Sequence, residues 1–167
     1  MKKSLAVSAI VAVALLGGCE SLRTERSYAL GGEVQVTRTH LGQPIARGEI
    51  RVEPAAGVTA VNFSQVTAPV ERELARLGWT VSPAKATTEQ VAVARVAETT
   101  RANGSVATEL AVRIQRRSDA TVAWEGRADY EARAGTPDAA RAAAANRLAA
   151  ALFRDFPGES GRTIRVR

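Results

Sequence analysis

Two segments in which apolar and polar residues alternate constrain the fold of this chain more than any other feature. Apolar or small side chains occupy every second position across residues 106–114, and the pattern returns across residues 122–130. A period of two is typical of a strand that buries one face. Asn103-Gly104 is a strong hairpin signal and joins the first segment to an earlier apolar stretch at residues 90–100. We therefore expect an antiparallel meander of three long strands.

The first strand of this meander has two conflicting apolar faces. Val91 and Val93 share one parity along the strand, whereas Val96 has the other. Because side chains alternate between the two faces of a sheet, a regular strand does not bury all three on the same side. Either a bulge interrupts the strand, or the strand is buried on both faces.

A helical period marks residues 67–77. Apolar side chains recur there at intervals of four and three residues, on one helix face: Val66, Val70, Leu74 and Leu77. Thr67 suits the capping position, Pro69 is tolerated in a first turn, and Gly78 is a natural left-handed stop. The sequence therefore predicts a first helix that ends just before Gly78.

Residues 137–156 predict a second helix. Thr136 suits the capping position, and Pro137 fits the first helical position. The alanine-rich body favours a helix, and its packing stripe consists of Ala145, Leu148, Leu152 and Phe156. Pro157-Gly158 then ends the segment.

Shorter stretches complete the predicted domain. Residues 34–37 and 50–53 each alternate between apolar and polar side chains, and Trp79 begins another short strand. We expect a single α+β domain over residues 33–157, in which an antiparallel sheet of about four to six strands carries two helices on one face. The basic C-terminal tail, residues 158–167, forms either an added edge strand or a disordered segment.

The first 18 residues have the three zones of an export signal. Two lysines supply positive charge, residues 5–16 form an uncharged apolar run, and Gly17-Gly18 provides a small-residue exit. The apolar run is shorter than the ~20 residues that span a bilayer core. We therefore interpret residues 1–18 as a cleaved signal peptide rather than a transmembrane helix.

Leu16-Gly17-Gly18-Cys19 resembles the bacterial lipobox, in which small residues let a peptidase reach the backbone before a cysteine that receives a diacylglyceryl group. The resemblance implies cleavage before Cys19 and a lipidated mature N terminus. Cys19 is the only cysteine in the sequence, so no internal disulfide competes for it. In enteric bacteria an aspartate after this cysteine retains lipoproteins in the inner membrane. Glu20 stands there instead, which favours the outer membrane, facing the periplasm.

The mature chain predicted in this way fits one domain. Removal of residues 1–18 leaves 149 of the 167 residues and lowers the formal charge from +6 to +4. Residues 19–32 are polar and end in two glycines, so they predict a lipidated N terminus and tether. We interpret the remaining charge as a solvated, mixed surface. Nucleic acid is an unsuitable partner because of the compartment and because aromatic residues make up only 4% of the chain.

Motifs for catalysis or metal binding are absent from the sequence. It contains no nucleophile elbow, no zinc-protease helix motif and no phosphate-binding loop. His40 is the only histidine and lies in a predicted turn, without metal-ligand or triad partners at readable spacing. We therefore expect His40 to be a surface residue. The protein is predicted not to be an enzyme and to use neither a cofactor nor a metal.

Three short segments are similar to signatures of the bacterial lipoprotein family catalogued as domain of unknown function 4136. The motif residues in these segments are Leu74, Gly78, Trp79, Trp124, Gly126, Phe153, Phe156 and Pro157. The resemblance implies an α+β envelope lipoprotein, and it implies no reaction. The aromatic-rich opening of that family is missing here, so the N-terminal third departs from the pattern. Trp124 has the apolar parity of its strand, which favours a core anchor over a ligand platform.

Two functional classes are compatible with these features. The first is an adaptor, held to membrane lipid by acylated Cys19, that contacts an envelope protein in assembly, maintenance or transport through a sheet edge or basic loops. The second is a carrier or sensor that binds a small amphiphile or glycan fragment between sheet and helices. We favour the first, because the narrow, alanine-rich helix stripes suit close packing rather than a cavity.

Overall fold

The computed structural model describes residues 33–58, 60–83, 87–136 and 138–166. The predicted signal peptide with its peptidase recognition residues, the lipidation residue Cys19 and the tether lie outside these ranges. Among the described residues, no helix combines the length and the apolar character needed to cross a membrane.

Seven strands and two helices follow one another along the described chain. Their bounds are β1 (Val34–His40), β2 (Glu49–Pro54), α1 (Ala60–Arg76), β3 (Thr80–Val81), β4 (Gln90–Thr100), β5 (Val106–Arg116), β6 (Val122–Ala132), α2 (Asp138–Leu152) and β7 (Thr163–Val166).

The strands form one mixed sheet in the order β3-β2-β4-β5-β6-β1-β7. β2 runs parallel to both β3 and β4, whereas every other pair of neighbours is antiparallel. The predicted α+β fold with two helices is confirmed. The sheet itself differs from the prediction, since it has seven strands rather than four to six and is mixed rather than antiparallel. The reason for the first parallel pair is that α1 follows β2 and carries the chain back along the sheet, so that β3 starts from the same end as β2.

Both helices pack on one face of this sheet, and the hydrophobic core lies between the two layers. α1 contributes Val66, Val70 and Leu74, and α2 contributes Leu148 and Leu152, all of them fully buried. The strands meet them with side chains of a single parity: Val36, Ile50, Val52, Ala92, Leu110, Val112, Ile114, Trp124 and Ala128. Burial of such apolar side chains is the main force that holds helices and sheet together.

The predicted meander is confirmed. β4, β5 and β6 contain 11 residues each and pair in antiparallel fashion along their length. In the first hairpin the Arg101 N–H donates to the Ser105 carbonyl at 2.8 Å, and Gly104 adopts a φ of +78°. The Asn103 carboxamide oxygen accepts from the Ser105 N–H at 3.0 Å, so the turn is closed by its side chain as well as by its backbone.

The conflicting parity of β4 reflects burial on both faces at the start of the strand. Val91 and Ala92 point to opposite faces, and both are buried. The register between β4 and β5 is continuous, so no bulge interrupts β4. An irregularity occurs instead in the next ladder, between Ile114 and Gln115 of β5.

The first helix begins earlier than predicted, at Ala60. Thr67 lies inside the helix, where its hydroxyl donates to the Phe63 carbonyl at 2.9 Å instead of capping an N terminus. Pro69 is also internal. Packing of Val66 against the sheet outweighs these unfavourable local preferences, because burial of an apolar side chain is worth more than a cap.

The end of α1 agrees with the prediction. Gly78 has a φ of +95°, and its N–H donates to the Ala75 carbonyl at 3.0 Å. The Trp79 N–H donates to the Leu74 carbonyl at 3.1 Å. These two bonds form a Schellman motif, which satisfies carbonyls at the helix end and requires a residue that tolerates positive φ.

The second helix ends at Leu152, before the predicted position 156, and residues 153–157 form turns. Of the two alternatives for the C-terminal tail, the structure contains the edge strand. β7 pairs in antiparallel fashion with β1, with Val34 opposite Val166 and Val36 opposite Ile164.

Candidate functional site

Five of the family-motif residues converge on an aromatic cluster at the C-terminal ends of both helices. The Trp124 ring of β6 stacks on Phe153 with a centroid separation of 5.4 Å, and Trp79 meets Phe156 edge to face at 5.4 Å. The Trp124 indole N–H donates to the Pro157 carbonyl at 3.0 Å. Trp124 and Phe153 are both 0% exposed. The cluster therefore joins a central strand to both helix ends, and the rings of Trp124 and Phe153 are not available as a ligand platform.

Gly126 lies in the same cluster because a larger residue does not fit there. A Cβ built on Gly126 would lie 2.7 Å from Cζ2 of Trp124 and 2.8 Å from Cδ1 of Leu152. Real Cβ atoms do not approach so closely. The missing side chain is thus what lets α2 and the Trp124 ring lie against the sheet at this point.

A buried arginine closes the end of α2 next to the cluster. Arg38 of β1 is only 3% exposed. Its Nε donates to the Leu152 carbonyl at 2.9 Å, and one terminal nitrogen donates to the carbonyls of Ala151 and Arg154 at 2.9 and 2.8 Å. These carbonyls would otherwise lack partners at a helix end. The positive charge also lies at the negative end of the helix dipole.

The environment of Arg38 shifts its protonation equilibrium and restricts its neighbours. Burial lowers the pKa of Arg38 from its ordinary value, and the Asp155 carboxylate opposes part of this shift. Gly158, with a φ of +77°, lies against the guanidinium. The Gly161 N–H donates to the Arg38 backbone carbonyl at 2.8 Å. Arg38 therefore positions the segment that runs from α2 to β7.

His40 makes a local structural contact with the same segment. Its Nε2 lies 2.9 Å from the Gly158 carbonyl, and its Nδ1 accepts from the Gly42 N–H at 3.1 Å. The Ser160 hydroxyl bonds to the His40 backbone N–H and carbonyl at 3.0 and 3.1 Å. His40 is partly buried by these contacts rather than fully exposed. Its two ring nitrogens are engaged by backbone groups, so His40 fixes this loop against the segment that follows α2.

Charged side chains pair across strands on the face of the sheet opposite the helices. We refer to this face as the open face. Glu109 of β5 accepts from Arg95 of β4 at 2.5 Å and lies 3.3 Å from Arg127 of β6. Arg127 also contacts Asp129 at 2.9 Å, and this hydrogen bond raises the pKa of Arg127. Because these groups pair with one another, much of the charge on the open face is already neutralised.

Glu53 of β2 joins two arginines at the margin of the open face. Arg117 donates to its carboxylate at 2.7 Å, and Arg51 forms a second ion pair with it. Burial raises the pKa of Glu53, but the hydrogen bonds from the two arginines outweigh that effect and leave the pKa below its ordinary value. The carboxylate is therefore held in its charged form.

The two edges of the sheet differ in their capacity to accept another strand. β3 contains two residues and is followed within two positions by Pro83. β7 contains four residues, and in the part of the chain that the structure describes no strand lies beyond it. An edge strand presents backbone N–H and C=O groups to an incoming chain. β7 is thus the edge better suited to strand addition.

A groove of about 280 Å³ lies between this edge and α2. Its floor is apolar and its helix side is basic, with a lining of Val34, Val166, Ala150, Ala151, Arg147 and Arg154. Arg147 packs over the Tyr130 ring, 5.5 Å from the centroid. Arg154 is exposed. We refer to the groove together with β7 as the edge groove, and it is the candidate site of this protein.

The described residues offer little for metal binding. No group of three histidine, cysteine, aspartate or glutamate side chains within them is close enough to hold a metal ion. Many of the polar contacts in this part of the chain join arginines to carbonyls or carboxylates. Such charge-assisted pairs are suited to recognition and structural support.

Sequence reasoning did not identify Arg38 or the edge groove. One signal for Arg38 was available, because it has the same strand parity as Val34 and Val36 and so points toward the core. The edge groove had no comparable signal. Arg147 lies on α2 and Arg154 two residues beyond its end, and the apolar stripe of the predicted helix was identified without reference to either. β7 was one of two alternatives for the C-terminal tail.

Comparison with known proteins identifies relatives of this chain but no established function. No family model matches the chain. An uncharacterised protein of Zymomonas mobilis is 40% identical over 65 residues, which are 39% of this chain and 24% of that protein. The chain therefore spans about a quarter of the length of this curated relative.

Solved structures resemble parts of this chain at low sequence identity. A PDZ domain protein from Parabacteroides distasonis matches 85% of this chain and 41% of its own, with a TM-score of 0.53 and 12% identity. PelC from Paraburkholderia phytofirmans, crystallised as a dodecamer, covers 70% of this chain and 92% of its own, with a TM-score of 0.49 and 17% identity. A candidate lipoprotein from Caulobacter crescentus covers 62% and 82%, with a TM-score of 0.36 and 19% identity.

Proposed function

We propose that this protein is a lipid-anchored lipoprotein of the bacterial envelope that acts as a non-catalytic adaptor and docks a protein partner on its edge groove. The observation that carries the proposal is the edge groove itself, in which a four-residue edge strand runs beside a helix with an apolar floor between them. Extended peptides that bind by strand addition use this combination of backbone hydrogen bonds and side-chain pockets.

The anchoring part of the proposal depends on the N-terminal sequence. The lipobox resemblance at residues 16–19 predicts acylation of Cys19, and Glu20 favours the outer membrane, facing the periplasm. Residues 20–32 then separate the lipid from the folded domain. At ~3.3–3.6 Å per residue, these 13 residues extend at most about 47 Å, so the domain stays close to the membrane. We also propose that the chain belongs to the domain of unknown function 4136 family, because it carries the motif residues named in the sequence analysis.

Packing between sheet and helices favours an adaptor over a carrier. Leu74, Leu148 and Trp124 fill that space and are each 0% exposed. A carrier would need room for a ligand there. The edge groove and a depression of about 480 Å³ on the open face both lie at the surface instead.

Two other surfaces are weaker candidates for docking. Cross-strand ion pairs already occupy the open face, and a partner would have to desolvate and replace them. The described residues also form no prominent exposed apolar patch. Leu41, which is 78% exposed, is the one large apolar side chain among them that is exposed. The edge groove combines apolar surface with backbone groups that lack a strand partner in the described structure.

In-cell photo-crosslinking of the lipidated full chain tests this proposal. A photoreactive amino acid replaces Arg165 on β7 in one variant and Arg113 on the open face in a matched control; both side chains are exposed. We expect Arg165 to capture one dominant envelope protein, with the crosslinks mapped by mass spectrometry to one extended segment, and Arg113 not to capture it. Equal capture from both positions, or retention of a lipid or glycan with no protein, would contradict the proposal.

A further inference from the structure

We propose that the edge groove selects an extended segment with acidic side chains, which adds to β7 as a further strand and places carboxylates against Arg147 and Arg154. This inference rests on the proposed adaptor function and specifies the chemistry of the partner. It commits to a peptide strand as the occupant of the groove.

The strand pairing defines how a segment would lie in the groove. Val34 on β1 pairs with Val166 on β7, and both side chains point to the helix-covered side of the sheet. A strand added outside β7 continues this face, so every second side chain of the segment points toward α2. Ala150 and Ala151 line the helix side of the groove and leave space for those side chains.

The charges in the groove select the side chains that enter it. Arg147 lies on α2, and Arg154 lies two residues beyond the end of this helix; both line the groove. Alternate residues of a strand point to the same face and are ~7 Å apart. Carboxylates on the face of the segment that points toward α2 therefore approach the two guanidinium groups. A lysine on that face would meet like charge.

The two arginines differ in how they are held. The guanidinium of Arg147 lies over the Tyr130 ring, and Tyr130 is only 8% exposed, so this contact restricts the arginine before a ligand arrives. The structure shows no hydrogen bond or ion pair from the Arg154 side chain to another described residue, and this side chain is exposed. Arg154 is therefore available to a carboxylate without breaking an existing ion pair.

An anionic lipid headgroup also carries negative charge, but it matches only the basic side chains of the edge groove. It has no row of backbone N–H and C=O groups to pair with β7. Its headgroup phosphate would meet the arginines alone and would leave the edge strand and the apolar floor without partners. Only strand addition needs the backbone N–H groups of the ligand. A ligand that lacks some of these groups therefore distinguishes strand addition from simple charge attraction.

Fluorescence anisotropy with synthetic peptides on the full chain in detergent micelles tests the inference. The probe is a labelled eight-residue peptide in which valine alternates with glutamate. One comparison peptide has lysine at every glutamate position. Two others keep glutamate but are N-methylated at alternate backbone nitrogens, one at the odd-numbered and the other at the even-numbered positions, which are the two possible phases. The protein variants are Arg154→Gln and Arg147→Gln, with Arg113→Gln on the open face as the matched control.

We expect the glutamate peptide to bind and the lysine peptide not to bind. Arg154→Gln weakens binding roughly tenfold or more, the size expected for a lost charge-assisted hydrogen bond, and Arg113→Gln does not. N-methylation in one of the two phases weakens binding to a similar degree. Arg147→Gln gives an independent loss, and its unfolding curve shows whether the Tyr130 contact is needed for folding.

Other outcomes overturn the inference. If neither N-methylated peptide binds more weakly, or if dihexanoyl phosphatidylglycerol displaces the glutamate peptide as well as unlabelled peptide does, the groove binds anions and not a strand. Equal binding of the lysine peptide rules out acidic selection. Capture of an envelope protein from position 165 in cells together with no peptide binding would leave the adaptor function in place and remove only the acidic-strand inference. Peptide binding without capture in cells would leave the acidic-strand inference in place and remove the adaptor function.

Discussion

Gly158 lies against Arg38 so closely that no side chain fits between them. A Cβ built on Gly158 would be 2.7 Å from both Cδ and a terminal guanidinium nitrogen of Arg38. Gly158 also has a φ of +77°. The segment that follows α2 thus depends on one glycine both for its backbone conformation and for the space that the buried arginine needs.

Gly158→Ala is expected to destabilise the fold by more than a positive φ alone explains. A left-handed conformation costs an alanine about 1–2 kcal/mol, and displacement of Arg38 adds an overpacking cost of about 1–3 kcal/mol. The matched control is Gly135→Ala, because Gly135 has a φ of +78° and nothing within 4 Å of its built Cβ. Urea unfolding measures both variants, and equal losses would show that the Arg38 contact carries no strain.

Arg38→Met is expected to destabilise the end of α2, because it leaves the carbonyls of Ala151, Leu152 and Arg154 without their donor. Each buried acceptor left unpaired costs about 1–3 kcal/mol. Arg38→Lys should be only a partial remedy, since an ammonium group lacks the planar fork of a guanidinium. Hydrogen exchange of the last turn of α2, measured together with urea unfolding, checks the effect. Full protection of that turn in Arg38→Met would disprove the capping role.

Gly126→Ala is expected to lower the free energy of unfolding by about 1–3 kcal/mol, because the new methyl group overlaps Trp124 and Leu152. Gly48→Ala is the control, since nothing lies within 4 Å of a Cβ built at Gly48 and its φ is not positive. That variant should be neutral or slightly more stable. The near-ultraviolet circular dichroism of the tryptophans should change in Gly126→Ala alone. An unchanged spectrum and stability would mean that α2 does not pack as closely on β6 as described.

Glu53 should give the fold an acid-sensitive contribution to stability. Its pKa is lowered on folding, so its stabilising effect is present above the ordinary glutamate pKa of about 4.3 and is lost as pH falls through the lower folded value. The difference in unfolding free energy between the natural protein and Glu53→Gln should therefore shrink on acidification through this range. Arg117→Gln, which removes one partner, should shift the loss to higher pH. A difference that stays constant from pH 7 to pH 3 would contradict this assignment.

Cys19→Ala is expected to abolish lipid labelling and to release the protein from membranes, because the predicted acyl chains supply the anchor. Metabolic labelling with palmitate and membrane fractionation measure the two effects. Cys19→Ser serves as a second variant of similar size to the natural residue and should behave in the same way. Continued palmitate labelling of either variant would refute the lipobox interpretation of residues 16–19.

Local patterns in the sequence identified the parts of the fold that depend on neighbours along the chain. The alternation across β5 and β6 and the Asn103-Gly104 turn predicted the meander, because strand period and turn conformation are set within a few residues. The helical end at Gly78 was predicted for the same reason, since a Schellman motif involves only the last turn.

Only the tertiary structure decided the sheet order, the role of Arg38 and the position of the edge groove. The partners of Arg38 lie more than 110 residues further along the chain, at the end of α2. β1 likewise pairs with β6 and β7, and no local period specifies which distant strand becomes its neighbour. The early start of α1 has the same origin, because burial of Val66 outweighs the local preferences of Thr67 and Pro69. The amino-acid pattern determined which segments form strands and helices, whereas long-range packing decided which of their surfaces remain open to a partner.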